Sequence, residues 1–187
     1  MVKERRLQCT LPAAEPSPAA RLLSMTSRRP DRHRYRFTTV WDLPAPPARV
    51  YAVLSDPRTY PVWWPEILEV RQFDGSTGAM RFRSLLPYVL QVTAHEARQD
   101  PAAGVLEARL TGDLEGRTRW TVTTRGDGAA VAVFDEDVEV RKPLMRLLAV
   151  PGRPAFRLNH AVMMSSGMTG LTRYLAVCDI LGIGLDQ

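Results

Sequence analysis

The chain has 187 residues, of which 45% are hydrophobic and 24% are charged, so its length and composition suit one globular domain with a full core. Its formal net charge of +5 comes from residues 1–34, which hold eight Lys or Arg and three Asp or Glu. Subtracting these from the totals of 25 basic and 20 acidic residues leaves 17 of each in the remainder. The high pI therefore describes the tail and gives no evidence of a basic nucleic-acid-binding face on the domain, so no nucleic-acid partner is expected.

Other features of the composition exclude further classes of protein. The two cysteines, Cys9 and Cys178, have the spacing neither of a metal site nor of a disulfide framework, and no metal or cofactor is expected. No run of about 18 apolar residues exists, so the sequence predicts no transmembrane segment. Leu7–Ala14 is too short and too interrupted for the apolar part of a signal peptide, which favours a cytoplasmic protein.

The first 33 residues differ in character from the rest. Residues 1–33 are rich in Pro, Ala, Ser and Arg and show no periodicity, which is typical of a disordered tail. An alternative is that the tail is an electrostatic arm for acidic surfaces. A single domain is therefore predicted over residues 34–187. Deleting the tail is predicted to change the free energy of unfolding by less than about 1 kcal/mol, because nothing in it can bury a core.

The domain begins with a predicted strand and two short helices. Tyr35–Leu43 alternates between two faces with a period of two, which indicates a strand. Proline is tolerated in a first helical turn, so Pro46–Ser55 is predicted to be a short helix, and Thr59–Trp64 a second one. The adjacent Trp63 and Trp64 are either a hydrophobic anchor for these helices or an aromatic wall at the mouth of a pocket.

A series of short strands follows. The predicted strands are Leu68–Phe73, Ala79–Leu85, Tyr88–Arg98, Val105–Leu114, Arg117–Thr124 and Ala130–Arg141. Their spacing is short and regular, so neighbouring strands should pair antiparallel. Leu114-Glu115-Gly116 and Gly126-Asp127-Gly128 are among the predicted turns, because glycine favours turns. Pro143–Val150 is predicted to form one or two helical turns.

The last predicted element is a long helix, Pro154–Leu181, with Pro154 in its first turn and Gly182 as its C-cap. Its inward stripe has helical periodicity and consists of Phe156, His160, Met163, Gly167, Leu171, Tyr174, Cys178 and Leu181. The C-terminal half of this stripe is bulky, whereas the N-terminal half is small and soft. Two explanations stay open for the soft half: close packing of the helix on a sheet, or the lining of a cavity.

The order of the elements favours a curved antiparallel sheet wrapped around the long helix. Within Tyr35–Leu181, three motifs are notable: Tyr60–Pro65, Gly112–Gly116 before Trp120, and Asn159-His160 followed by Met164, Gly167 and Gly170-Leu171. In these motifs the chain resembles the START-like (helix-grip, SRPBCC) superfamily, and more closely its bacterial polyketide cyclase/dehydrase branch. The resemblance implies an α+β fold with about seven strands, two short helices after the first strand, and a deep apolar cavity between the sheet and the C-terminal helix.

Strand alternation and the helical stripe select the residues of a candidate site on this inner face. The predicted ligand-binding residues are Trp63, Trp64, Phe82, Ser84, Tyr88, Leu90, Leu110, Thr118, Trp120, Phe134, Glu136, Asn159, His160, Met163, Met164 and Gly167. Polar side chains on an apolar face are the informative ones, and Glu136, His160 and Tyr88 are the candidates for proton transfer. The alternatives are structural. Glu136 is then solvent-exposed or paired with an arginine, His160 is a hydrogen-bonded core residue, and Asn159 bonds to the backbone where the helix begins.

Turn chemistry and hydrophobic pattern together predict the register of the last two strands. If the loop Gly126-Asp127-Gly128 has three residues with Gly128 left-handed, then Trp120 lies opposite Phe134. Thr118 then lies opposite Glu136, and both pairs face the C-terminal helix. A two-residue loop would instead place Phe134 on the wrong face. The predicted register therefore puts an indole, a phenyl ring, a hydroxyl and a carboxylate side by side.

Three functions are consistent with these features. The first is the binding or carriage of a hydrophobic or aromatic small molecule, lipid-like or polyketide-like, in the cavity. The second is a polyketide aromatase/cyclase or dehydratase, for which the resemblance implies a buried arginine; Arg81 and Arg83 are the nearest candidates, but alternation points both outward. The third is a co-chaperone-like interaction module. If Gly167 lines the cavity, Gly167→Leu should preserve the fold and reduce ligand uptake.

Overall fold

The computed structural model describes residues 33–84, 88–143 and 152–181. The elements in chain order are β1 (Arg34–Leu43), α1 (Pro47–Ser55), a 3-10 turn (Pro57–Thr59), α2 (Tyr60–Trp63), β2 (Ile67–Gln72), β3 (Thr77–Arg83), β4 (Val89–Asp100), β5 (Val105–Gly112), β6 (Leu114–Thr124), β7 (Ala130–Val140) and α3 (Arg153–Ile180). The predicted tail up to residue 32, nearly all of the predicted turns at Pro143–Val150, and the predicted cap Gly182 lie outside the described residues.

The seven strands form one antiparallel sheet in the order β1-β7-β6-β5-β4-β3-β2. Each strand pairs with its neighbour in sequence, except that β1 pairs with β7, so β1 and β2 are the two edges. The long helix α3 follows the sheet and two short helices follow β1, which confirms the predicted helix-grip fold. No helix in the described part of the chain is long and apolar enough to cross a membrane.

The register of β6 and β7 is the predicted one. Arg125 N–H donates to the carbonyl of Ala129 at 2.7 Å, and Gly128 is left-handed with φ 84°. Trp120 consequently pairs with Phe134, in the strand position that alternation requires. The same count places Thr118 opposite Glu136. Because one slipped residue would reverse every side chain, this turn fixes which groups face α3.

The predicted turn Leu114-Glu115-Gly116 is wrong, because these residues form the start of β6. Gly116 pairs with Leu110 on one side and with Val138 on the other. A Cβ atom at Gly116 would overlap the carbonyl oxygen of Asp137, so this glycine permits a close approach of two strands. Glycine is needed at this position because two strands approach closely, and not because the chain turns there.

The buried face of α3 lies slightly to one side of the predicted stripe. Its buried residues are Phe156, Asn159, Met164, Gly167, Leu171, Leu175 and Cys178. His160, Met163 and Tyr174 are partly exposed, and Leu181, which the stripe also included, is 64% exposed. The C-terminal part of α3 joins the larger core cluster, which includes Val50 and Leu54 of α1. A second cluster includes Tyr35, Leu90 and Phe156, and Met80 and Phe82 pack against both clusters.

Candidate functional site

A cavity of about 350 Å³ lies between the inner face of the sheet and the N-terminal half of α3. Its apolar lining includes Phe37, Val70, Met80, Phe82, Leu90, Val92, Leu106, Leu110, Trp120, Phe134, Val138, Phe156, Met163 and Met164. The sheet residues in this lining are those that alternation turns toward the helix. A concave, mainly apolar space of this size is typical of small-molecule sites.

Thirteen of the sixteen predicted site residues line this cavity. They are Trp64, Phe82, Tyr88, Leu90, Leu110, Thr118, Trp120, Phe134, Glu136, Asn159, His160, Met163 and Met164. The exceptions are Trp63, Ser84 and Gly167, and each has a different role in the surrounding structure.

Gly167 does not line the cavity, contrary to the expectation from the sequence. A Cβ atom there would lie 2.5 Å from Cε2 and 2.8 Å from Nε1 of Trp64, well inside contact distance. The glycine therefore lets α3 lie directly on an indole ring. Of the two explanations for the small half of the helix, close packing holds at this position. Gly167→Leu should accordingly destabilise the fold and not simply fill a pocket.

Trp63 is a hydrophobic anchor for the short helices, which is the first of the two roles predicted for it. Its ring stacks on Trp64 with centroids 5.4 Å apart, and its Nε1 donates to Thr59 Oγ1 at 3.3 Å. A Cβ atom at Gly170 would overlap the Trp63 carbonyl oxygen, so α3 also packs closely on this backbone. Trp64 differs, since it lines the cavity and donates from Nε1 to the Met163 carbonyl at 3.0 Å.

Ser84 does not line the cavity itself but holds a residue of the cavity wall in position. Its buried hydroxyl donates to Asn159 Oδ1 at 2.9 Å, and Asn159 Nδ2 donates to Met163 Sδ at 3.3 Å. Asn159 lines the cavity with its side chain already engaged at both ends. This arrangement ties α3 to the end of β3 and orients two residues of the cavity wall.

The most polar part of the cavity is formed by Glu136 and His160. Glu136 Oε2 lies 3.3 Å from His160 Nε2, and the two side chains are only 12% and 15% exposed. The distance suits an ion pair, but the geometry is not that of a hydrogen bond, and Nε2 has no hydrogen-bond partner among the described residues. The partner of Glu136 is therefore a histidine and not the arginine considered from the sequence.

Aromatic rings on both sides hold the His160 imidazole in place. It stacks on Phe37 with centroids 3.9 Å apart and planes 8° from parallel, and Phe134 lies 6.5 Å away. Phe37 pairs directly with Glu136 across β1 and β7, so the phenyl ring and the carboxyl group lie side by side on the inner face of the sheet. Trp120 continues the aromatic wall, 4.6 Å from Phe134.

Tyr88 provides a second polar group within the cavity. Its hydroxyl oxygen is buried and makes no well-formed hydrogen bond to a described residue. Burial raises the pKa of this phenol, and the nearby Ser84 hydroxyl opposes the shift. The hydroxyl is therefore protonated at neutral pH and can donate or accept one hydrogen bond.

Two other tyrosines that line the cavity are already engaged. Burial raises the pKa of Tyr35, and the cation of Arg153, whose Cζ lies 5.7 Å from the ring centroid, opposes that rise. Burial also raises the pKa of Tyr60, whose hydroxyl donates to the Leu54 carbonyl at 2.6 Å. These phenols are held by the fold, which leaves Tyr88 as the better candidate to contact a ligand.

A polar rim surrounds the mouth of the cavity and was not predicted. It includes Arg58, Gln72, Ser76, Thr77, Glu96, Arg98 and Gln99. Arg58 is paired with Asp56 at 2.7 Å, and Arg98 with Asp100 at 2.7 Å. Glu96 continues the alternation of β4, and this signal could have located it on the inner side. The register shift between Glu96 and Arg98 interrupts that alternation, so it could not have located Arg98 or Gln99.

The arginines considered from the resemblance do not line the cavity. Arg81 and Arg83 are exposed, as alternation predicts, and Arg81 contacts Glu69 at 3.2 Å on the outer face. Within the described ranges, no group of His, Cys, Asp and Glu side chains could hold a metal ion. Among the described lining residues, the predicted site residues that offer polar groups to a ligand are Glu136, His160, Tyr88, Thr118 and Asn159.

Solved structures share this fold at low sequence identity. The Zhui aromatase/cyclase from Streptomyces sp. R1128 matches with a TM-score of 0.63 and 15% identity, over 78% of this chain and 96% of that one. A START superfamily protein from Mycobacterium smegmatis gives 0.57 and 22%, over 76% and 96%. Major latex-like protein 151 from Panax ginseng gives 0.58 and 9%, over 75% and 97%. Identities this low show a common fold only.

Sequence comparison gives a more definite result. A search of curated proteins found no significant match. The family described as polyketide cyclase/dehydrase and lipid transport, however, matches residues 34–176, which is most of the chain and nearly all of the described domain. The START-like resemblance inferred from the sequence motifs is thereby confirmed. The chain belongs to the polyketide cyclase/dehydrase and lipid transport family.

Proposed function

We propose that this domain binds a hydrophobic or aromatic small molecule, lipid-like or polyketide-like, in the cavity between the sheet and α3. The single observation that carries the proposal is the cavity itself, about 350 Å³ with an apolar and aromatic lining. Side chains normally close an apolar space of this size, because unfilled volume and exposed apolar surface both cost stability. A protein that keeps such a cavity has room to bind a small molecule.

The polar groups in the cavity support the same proposal. Tyr88 Oη and His160 Nε2 are buried without a hydrogen-bond partner in the described part of the chain. Leaving a buried polar atom unsatisfied costs about 1–3 kcal/mol, so native structures rarely do so without a reason. A ligand with a few polar atoms would satisfy both groups and would be oriented by them.

A pair of variants on one strand tests ligand binding. Ala108 lines the cavity, whereas its neighbour Arg109 is exposed on the other face of β5. Ala108→Phe should lower the affinity for the neutral dye Nile red by about tenfold or more, because the new ring occupies the cavity. Arg109→Phe adds the same ring outside and should leave the affinity unchanged.

Native mass spectrometry of the purified protein, followed by extraction, would identify a co-purified compound. A protein that takes up neither Nile red nor any extracted lipid or aromatic compound would contradict the proposal. That outcome would instead favour the interaction module.

One observation favours a catalytic use of the same cavity as the second candidate. Glu136 and His160 form a carboxylate–imidazole pair 3.3 Å apart, and Tyr88 offers a protonated hydroxyl within the same cavity. Such groups can move protons in a cyclisation or dehydration of a bound polyketide-like chain. For this function, Glu136→Gln should abolish conversion of a linear poly-β-ketone substrate while Nile red binding is retained. A protein that binds such a substrate and returns it unchanged is a carrier.

A further inference from the structure

We infer that the polar corner of the cavity selects an uncharged hydroxyl donor and rejects a carboxylate, through the buried side chain of Glu136. The inference rests on the proposed ligand binding and names the class of molecule that would fit. It predicts that neutral phenols and alcohols bind in preference to aromatic acids of the same shape.

The first step is the charge distribution within the cavity. In the described part of the lining, the cationic side chains are Arg58 and Arg98 at the exposed rim, each already paired with an aspartate. Further inside, the ionisable pair is Glu136 with His160. In the described lining, a ligand carboxylate at this depth would therefore meet Glu136 at close range, with the His160 imidazole beside it and no arginine or lysine.

The second step is the hydrogen-bonding capacity of Glu136. A carboxylate has about four acceptor sites, and the polar contact shown for Glu136 is with His160, without hydrogen-bond geometry. Thr118 lies directly opposite on β6 and lines the cavity beside it. The corner is therefore rich in acceptors, and a hydroxyl that donates a hydrogen bond satisfies what an anion cannot.

The third step is the strength of the effect. Phe134 and Val138 flank Glu136 on the inner face of β7, and Phe37 pairs with it from β1, so little water screens the carboxylate. Two like charges in such surroundings repel far more strongly than in bulk water. The Tyr88 hydroxyl is a neutral dipole and does not offset a full charge. A preference of at least about tenfold for the neutral ligand follows.

The test compares 2-naphthol with 2-naphthoate, which share a ring system and differ in charge at about pH 7. Their affinities are measured by displacement of Nile red from the full-length protein. We expect 2-naphthol to bind at least about tenfold more tightly. In Glu136→Gln, which removes the charge and keeps the shape, this preference should fall by at least about threefold, and the rest is the cost of desolvating the ligand carboxylate.

The matched control is Asp135→Asn, which removes a negative charge from the exposed side chain next to Glu136 on β7. It should preserve the preference, since Asp135 points away from the cavity and pairs with Thr38 on the outer face. Equal or tighter binding of 2-naphthoate to the native protein overturns the inference, even if Glu136→Gln fails to fold. A preference of unchanged size in Glu136→Gln also overturns it. Absence of binding by Nile red and both naphthalenes refutes the proposed ligand binding itself.

Discussion

The two halves of α3 face different surroundings. The cavity half, residues 153–164, turns Asn159, His160 and Met163 toward an open space. The packed half, residues 167–180, buries Leu171 and Leu175 in the larger core cluster, at 0% and 2% exposure. One continuous helix is therefore a cavity wall at one end and a core element at the other.

Trp64 forms the boundary between the two halves. Its indole lies under Gly167 and donates a hydrogen bond to the Met163 carbonyl, while another part of the ring lines the cavity. Before this boundary, Asn159, His160 and Met163 face the cavity. At and after it, Gly167 and Gly170 admit the tryptophans of α2 and its C-cap. A small residue on a helix can therefore be assigned a role only when the residue that it contacts on the facing element is known.

The largest difference between the halves is expected for Leu171→Ala in the packed half. Leu171 is fully buried, so its truncation should lower the free energy of unfolding by about 3–5 kcal/mol. Urea denaturation gives this value, with an unchanged m-value as the sign that two-state unfolding persists. Val177→Ala, at a position that is 51% exposed, should change the stability by less than about 1 kcal/mol. A similar small loss for Leu171→Ala would mean that this half is not packed.

Gly170→Ala should show the next largest effect. A methyl group at this position overlaps the Trp63 carbonyl oxygen, and a backbone atom cannot move aside alone. Overpacking should cost about 2–3 kcal/mol, even though alanine favours a helix by about 1 kcal/mol over glycine. Thr169→Ala, one residue earlier and exposed, is the control and should be nearly neutral. If Gly170→Ala were stabilising, the close approach of α2 and α3 would be refuted.

Gly167→Ala should be milder, because its obstacle is a side chain. The methyl group would meet the Trp64 indole, which can shift at the expense of its hydrogen bond to Met163. A loss of about 1–2 kcal/mol is expected in the same urea measurement. Gly167→Leu should lose more, in contrast to the prediction from sequence that it preserves the fold. Normal stability with reduced Nile red uptake in Gly167→Leu would restore the cavity interpretation at this residue.

Features set by local pattern were predictable from the sequence. Alternation placed Trp120, Phe134 and Glu136 on the inner face, and the left-handed Gly128 fixed their register. The long helix was predicted within one residue at each end of Arg153–Ile180. These predictions depend on periods of 2 and 3.6 residues and on turn chemistry, all of which are written within a few neighbouring residues.

Features set by distant contacts were not predictable in the same way. The role of Gly167 depends on Trp64, about a hundred positions earlier in the chain, and that of Gly116 on the backbone of β7. The rim residue Arg58 lines the mouth because three separate segments converge there. The inward position of Glu136 could be predicted from its apolar neighbours on β7, but its pairing with His160 required the placement of α3 on β7.

The smallest effect on stability is expected for Met163→Ala in the cavity half. Met163 is half-buried, lines the cavity and belongs to neither core cluster, so its truncation enlarges an existing space and removes few packing contacts. The loss should stay below about 1 kcal/mol, since alanine also favours the helix slightly. Ligand binding should respond in the opposite order: Met163→Ala weakens 2-naphthol by about threefold or more because a wall of the site is lost, whereas Leu171→Ala leaves it unchanged in the folded protein. Val162→Ala, on the exposed side of the same turn, should affect neither quantity. If Met163→Ala destabilised the domain as much as Leu171→Ala while binding stayed intact, the helix would be a core element along its whole length, and the division at Trp64 would be wrong.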